Sequence, residues 1–453
     1  MLRTSAPRSW WRAAVATVAA CALVWHTATA AAVPEKQELK IGFIKLTDCA
    51  PLIVAYEKGY FEDEGLYVTL EAQANWKVVL DRVIDGALDA SHMLPGQPLG
   101  AAVGFGSQAE LVGVIGLGVN TLAVTVGNDV WKALKPHLAL DGDHPVHPIA
   151  ATQLKPVIES IAAAGHQFTM GVVFPTSTHN YLLRYWLAAG GIHPGYYSAG
   201  DVTGTSSAEA FLSVTPPPQM PATLAAGTLY GYSVGEPWNQ QAVMKGIGVP
   251  VITAAEIWSR TPEKILGLRR DFVERNPNTV KALIKAVIRA EQWLDADNGG
   301  HRAELVTMLA RPDYVGADAA VLKGPLTGSY QYEKGDVRAA PAANVYFRNH
   351  AGYPFYADAV WYLTQMRRWG QISENRPDDW YDQIARKVYR ADLYRAAAGE
   401  MIAAGKLDAD ALPAADSYGA AGHAKFIDGI EFDAHQPNAY LTRFAIGQQG
   451  GAR

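Results

Sequence analysis

The chain has 453 residues, 49% hydrophobic and 18% charged, which suits two core-forming lobes and excludes a disordered chain. Lys and Arg number 39 against 44 Asp and Glu, a net charge of −5, so no basic excess points to nucleic acid or an anionic membrane. The two cysteines, Cys21 and Cys49, allow neither a four-cysteine metal site nor a disulfide framework.

Arg3, Arg8 and Arg12 open a stretch without an acidic residue, and an uncharged, mostly apolar run follows over Ala13 to Trp25. The small residues after it include an A-x-A site at Ala28 and Ala30, so residues 1–30 read as an export signal. An apolar run of about 13 is too short to span a bilayer, which takes ~20. Val18-Ala19-Ala20-Cys21 resembles a lipobox, which would leave a diacylated Cys21 as a lipid anchor, although the apolar run continues past it. Cleavage removes three arginines and no acid, taking the charge from −5 to −8. No later segment has the length and apolarity of a membrane span, so a soluble periplasmic product is expected.

Leu39 to Ile44 is a short strand, Thr47 to Pro51 a turn, and Leu52 to Tyr56 the start of a helix that stops near Gly59. Tyr67 to Leu70 reads as a strand, Val78 to Leu88 as a helix, and Leu88 to His92 as the start of another strand. Leu111 to Val119 and Ala123 to Val126 are further strands. This alternation predicts open α/β sheets, whose ligands bind beyond the C-terminal strand ends. The Thr47-Asp48 and Asn75-Trp76 turns stand at such ends. The pattern restarts after residue 129 with a helix over His179 to Ala189. Strands follow at Phe211 to Val214, Leu229 to Val234 and Val249 to Thr253, with a helix around Met220 to Ala226. Residues 133–167 and 196–210 read as insertions. Helices dominate from Asn276, and Ala396 to Gly422 reads as a surface-wrapping tail.

No H-E-x-x-H motif and no Gly-rich phosphate loop occurs, so no enzyme is expected. His144-Pro145-Val146-His147 could hold a metal, but its prolines and its place in an insertion favour solvated histidines. Cys49 beside Asp48 lacks the positive neighbours that activate a thiol and reads as a small core residue. The expectation is a solute receptor without a cofactor.

Several runs then bring a family into view. Thr47 to Pro51, Glu57 to Phe61, Asn75-Trp76, Ser177-Thr178-His179-Asn180 and Arg184 to Gly191 resemble the nitrate- and bicarbonate-binding proteins of bacterial ABC transporters. Pro216 to Met220, Gly235-Glu236-Pro237-Trp238-Asn239, Pro262-Glu263-Lys264, Gln365 to Gly370 and Asp428 to Asp433 do so too. The resemblance covers nearly the whole mature chain in order. It implies a type II periplasmic binding protein, with two α/β lobes that close on a small oxyanion and present it to an inner-membrane permease.

Carried over by motif, the anion site falls on Trp76, His179, Lys264 and the backbone of Gly235, with Thr47, Asp48 and Thr178 beside them. An ammonium supplies countercharge, an imidazole and an indole donate, and the start of the His179 helix favours anions. The amide side chain that nitrate-binding members carry falls here on Leu122. Gln97 or Asn120 is the candidate replacement donor. Lys264 favours nitrate or nitrite over bicarbonate, since the bicarbonate-type site places an acid there to help hold calcium, which a lysine repels. Glu236 is a weak metal candidate or a hinge group.

The expected lobes are 38–125 with 255–453, the latter including a helical extension, and 126–254. The expected function is capture of nitrate or nitrite for an ABC importer. Bicarbonate, cyanate, a sulfonate or a pyrimidine precursor are the other ligands in view. A nitrate sensor subunit, or an enzyme built on Cys49 or His179, are the remaining classes.

Overall fold

The computed structural model describes residues 33–420 and 425–447, and the anticipated export signal and Cys21 lie outside the described residues. No helix among the described residues is long and apolar enough to cross a membrane. Ten strands build two five-stranded sheets. They are β1 (Glu38–Phe43), β2 (Tyr67–Ala72), β3 (Ala90–Met93), β4 (Leu111–Gly116) and β5 (Leu122–Gly127). The rest are β6 (Phe168–Val172), β7 (Ala210–Val214), β8 (Gly231–Gly235), β9 (Gly248–Thr253) and β10 (Ile265–Arg269).

The first sheet runs β2-β1-β3-β10-β4 and the second β7-β6-β8-β5-β9. Each is parallel at one side, through β2, β1 and β3 in the first and β7, β6 and β8 in the second. Each is antiparallel at the other, around β10 and around β5. Their inner strands are apolar on both faces; in β4 and β5 only the terminal glycine is not buried, as sheets covered by helices on both sides require. The chain passes between the sheets at 117–121 and again between β9 and β10. Leu122–Gly127, expected at the end of the first lobe, pairs in the second sheet with β8 and β9.

Six helices matter for the site and its support. They are α1 (Ala50–Glu57), α2 (Trp76–Ile84), α3 (Gly96–Val103), α4 (Thr178–Ala189), α5 (Pro277–Asp295) and α6 (Tyr356–Arg368). Two begin with side-chain caps at the cleft. Asn75 accepts from the Val78 amide at 3.0 Å to start α2, and Ser177 accepts from the Asn180 amide at 3.0 Å to start α4. Each cap fixes where the next one or two side chains, Trp76 and His179, enter the cleft. α5 buries Val280, Leu283, Ile284, Val287 and Leu294 in the core of the first lobe. The start of the segment read as a surface tail, residues 396–403, instead belongs to a helix over Ala391–Ala403 that buries Ala397, Ala398 and Met401 in that core. Its small residues are there for close helix packing.

Among the elements named above, β6, β10 and α3 go beyond the sequence reading. The 133–167 stretch holds a small hairpin of Leu140–Asp141 with His144–Pro145 and a helix over Lys155–Ala163.

The lobes are closed on each other. The Thr47 amide donates to the Glu236 carbonyl at 2.8 Å, and the Trp238 indole donates to the Lys45 carbonyl at 3.0 Å. On the other side of the cleft, α3 meets the loop before α4 through two glycines one turn apart. A Cβ on Gly96 would sit 2.1 Å from the Thr176 carbonyl oxygen, and one on Gly100 would sit 2.9 Å from the Thr176 methyl. Only glycine permits this approach.

Gly96→Ala should therefore hold the lobes apart while leaving each intact. Overpacking of this kind costs ~1–3 kcal/mol, so ligand Kd should rise about tenfold or more. Thermal melting of the ligand-free protein should change little. Equal affinity in a calorimetric titration would refute the contact's role in closure.

Candidate functional site

At the centre of the cleft is a buried ion pair. Lys264 precedes β10, and its Nζ lies 2.6 Å from Oδ2 of Asp48, on the turn that follows β1. Both side chains are wholly buried. The Thr121 hydroxyl, on the first crossing between lobes, donates to the same Oδ2 at 2.9 Å. His92, on β3, sets Nε2 2.9 Å from Oδ1. Burial works against ionising Asp48, but Lys264 and His92 outweigh it and hold the carboxyl well below the ordinary range.

Around this pair stand groups with nothing to bind. Trp76 Nε1 and both ring nitrogens of His179 are buried without a hydrogen-bond partner among the described residues. The Lys264 ammonium lies 5.6 Å from the centre of the Trp76 ring. A Cβ on Gly235 would sit 3.7 Å from His179 Nε2 and 3.6 Å from Asp48 Oδ2. The missing side chain thus leaves the space that these groups face. Burial, then Lys264, holds the His179 imidazole well below its ordinary value, so the ring is neutral at pH 7. Buried donors of this kind favour a ligand that accepts hydrogen bonds.

Of the residues read from the sequence, Trp76, His179, Gly235, Lys264 and Asp48 come together here. Thr47 and Thr178 are neighbours with other duties. The Thr47 hydroxyl donates to Asn344 Oδ1 at 2.7 Å, and the Thr178 hydroxyl donates to the Pro262 carbonyl at 3.1 Å. Gln97 is committed to scaffolding: its amide donates to the Trp76 carbonyl at 2.8 Å and accepts from the Leu94 amide at 3.1 Å. Asn120 donates to the Ser259 and Ala342 carbonyls and accepts from the Thr261 amide, which ties the two crossings together. Both N–H groups of the Asn120 amide are therefore used. Leu122 is buried opposite Gly235 in the β8–β5 pairing. Glu236 accepts from Tyr330, Asn239 and the Gln240 amide. It lines a separate cavity of about 220 Å³ with Asn120, Tyr330, Tyr332 and Asn344.

Two site residues escaped the sequence reading. His92 sits in a strand whose four residues are all buried, with no motif to mark it. Glu263 lies 3.6 Å from Lys264 Nζ, with both carboxyl oxygens unpartnered. Burial lifts its pKa to about 8, against the pull of Lys264. The remaining candidates lie elsewhere. His144 faces Asp336, and His147 packs on the Tyr332 ring. Burial and then the Asp48 charge push the Cys49 thiol up, the opposite of an activated nucleophile.

Residues 32–310 match the model of the NMT1-like family. The chain is 31% identical over 418 residues to the nitrate/nitrite binding protein NrtA of Nostoc sp. (strain PCC 7120), covering 91% of this chain and 86% of that one. It is 35% identical over 418 residues to the nitrate import ATP-binding protein NrtC of Synechocystis sp., but spans only 56% of that protein's length. The crystal structure of the periplasmic nitrate-binding protein NrtA from Synechocystis PCC 6803 superposes with a TM-score of 0.79 at 30% identity. That match covers 92% of this chain and all of that one.

Two measurements follow from the buried charges. Lys264→Met leaves Asp48 charged and unpaired, which should cost ~3–5 kcal/mol of stability, whereas Asp48→Leu with Lys264→Met should recover most of it. Denaturant unfolding of the single and double variants checks this. Glu263 must stay protonated to remain buried. Its contribution is whole below about pH 4.5, declines above that, and is lost as pH passes about 8. Melting temperature should fall across that window, and Glu263→Gln should flatten the fall.

Proposed function

The chain belongs to the NMT1-like family, and from that membership we propose that it captures nitrate or nitrite for an ABC importer. It is a solute-binding protein and not an enzyme, so its work is binding and hinge closure. The observation that carries the choice of ligand is the convergence of Trp76 Nε1 and the His179 ring on the space above Gly235, beside Lys264. A small planar oxyanion fills such a space, accepts from an indole and an imidazole, and gains from a fixed ammonium in a dry cleft.

Closing the lobes assembles the site from both sheets. Asp48, Trp76, His92 and Lys264 belong to the first lobe and its crossings, and His179 and Gly235 to the second. An anion held between them stabilises the closed form by its differential affinity for it. The closed form is then what a permease would recognise, and the relative named as a nitrate import ATP-binding protein supports an ABC transporter as partner. An exported, periplasmic location accords with the periplasmic relative of known structure. Lipid anchoring at Cys21 is a further element of this proposal.

Leu122 favours a second reading. A leucine where the resemblance places an amide removes one donor. A ligand needing fewer donors, such as nitrite or cyanate, would suit that change. Lys264 still speaks against calcium-dependent bicarbonate.

Calorimetric titration with nitrate, nitrite, cyanate and bicarbonate, the last with and without calcium, decides among them. Micromolar or tighter nitrate or nitrite binding is expected, and calcium-dependent bicarbonate binding would overturn the reading of Lys264. His179→Ala removes one donor to an anion, worth ~1.5–3 kcal/mol. It should therefore weaken binding roughly 10- to 100-fold.

A further inference from the structure

The proposed ligand is an anion, yet the pocket is not positive. The charged and titratable groups facing His179 are Asp48 from the turn after β1, Lys264 and Glu263 from the approach to β10, and His92 from β3. Asp48 already neutralises Lys264 at 2.6 Å. Glu263, if ionised, would only add negative charge. Arg184, on α4 itself, is turned away and donates to Asn180 and to the carbonyls of Pro194, Gly195 and Gly204. A monoanion entering this sealed cluster would leave one uncompensated buried charge, which costs several kcal/mol.

We propose that Asp48 makes the pocket electroneutral, so that each anion is captured together with one proton, which the His179 imidazole holds. The inference rests on the anion-binding reading and specifies how that site balances charge. The proton comes from solvent as the anion enters and returns on release. No other group is as free to take it. His92 Nδ1 accepts the Ile44 amide at 3.3 Å, so its lone pair is engaged while Nε2 faces Asp48. Asp48 has Lys264, Thr121 and His92 around its carboxylate, all of which favour the ionised form. Both ring nitrogens of His179 are unengaged among the described residues, and Nε2 borders the space at Gly235. A protonated ring there presents a charge-assisted donor to the anion. Asp48 is thereby a specificity residue. It excludes anions whose affinity would come from net positive charge alone, and it ties affinity to pH.

The test is calorimetric titration of the protein with nitrate and nitrite at pH 7, in phosphate and in Tris, whose ionisation enthalpies differ widely. The expected result is uptake of about one proton per anion, with Kd rising about tenfold per unit from pH 7 to 8. His179→Gln combined with Glu263→Gln, the second change removing a carboxyl that itself titrates near pH 8, should reduce the uptake to zero and make the remaining affinity independent of pH. Asp48→Asn, which leaves Lys264 unneutralised, should also abolish uptake and retain affinity at pH 8. Anion binding without proton uptake in the unaltered protein would overturn this proposal and leave the anion reading standing. Uptake that persists in the double variant would overturn the assignment to His179. Absence of heat and of thermal stabilisation with nitrate, nitrite, cyanate and bicarbonate would overturn both.

Discussion

The contact between Asp48 and Lys264 organises the cleft. One partner comes from the turn after the first strand and the other from the last crossing between the sheets, 216 residues later. Neither charge could be buried there alone, because an unpaired ion in a dry interior costs more than folding can spare. Their meeting therefore requires β1, β10 and the first crossing, with its Thr121 hydroxyl, to be in register at once. The elements that bear the rest of the site are set by that register. β3 delivers His92 to the free oxygen of Asp48, and β8 ends in Gly235 against its other side.

Glycines then decide how closely the two lobes can come. Gly235 leaves space for a ligand, whereas Gly96 and Gly100 leave space for the protein itself, since Thr176 fills the place where their side chains would be. The two uses of one residue type are distinguishable by what a Cβ would meet. At Gly235 it would press on a Leu46 methyl at 3.2 Å and face Asp48 and His179 at ordinary contact distance, all of them side-chain atoms. At Gly96 it would strike a backbone carbonyl that cannot move unless the lobes part.

Much of this was legible in the sequence, for reasons that differ by residue. Trp76 and His179 follow polar caps, Asn75 and Ser177, and lie in runs that resemble a known family. Lys264 and Gly235 stand in similar runs. His92 carries no such mark, because a buried strand histidine has the same local pattern whether it packs or pairs; only the long-range approach of Asp48 gives it a role. Glu263 was hidden for a similar reason, since its neighbour Lys264 makes it look like half of a solvated pair. β6 was missed because it follows an insertion and contains Thr169 and Gly171, and β10 because Gly267 interrupts a short apolar run. The amide candidates Gln97 and Asn120 have the right chemistry in the right region. Their hydrogen bonds go to the backbone of Trp76 and of the crossings, and such partners cannot be read from residue type.

Charge neutrality separates this pocket from a simple positive trap. A cleft that gathered cations alone would attract anions strongly, but it would be costly to close when empty. Here the empty cluster already satisfies its strongest charges internally, so closure does not depend on a ligand to relieve repulsion. What remains unsatisfied is a set of neutral donors, the Trp76 indole and the His179 ring, with the Glu263 carboxyl beside them. Each costs something to bury without a partner, roughly 1–3 kcal/mol, and a ligand that accepts their protons recovers it only when the lobes are shut. Orphaned donors are therefore what make the closed form sensitive to occupancy, while the ion pair supplies a field strong enough to orient the ligand and too balanced to hold it permanently. A receptor that must release its ligand needs both properties, and in this chain the first comes from Trp76 and His179 and the second from Lys264 on Oδ2 of Asp48.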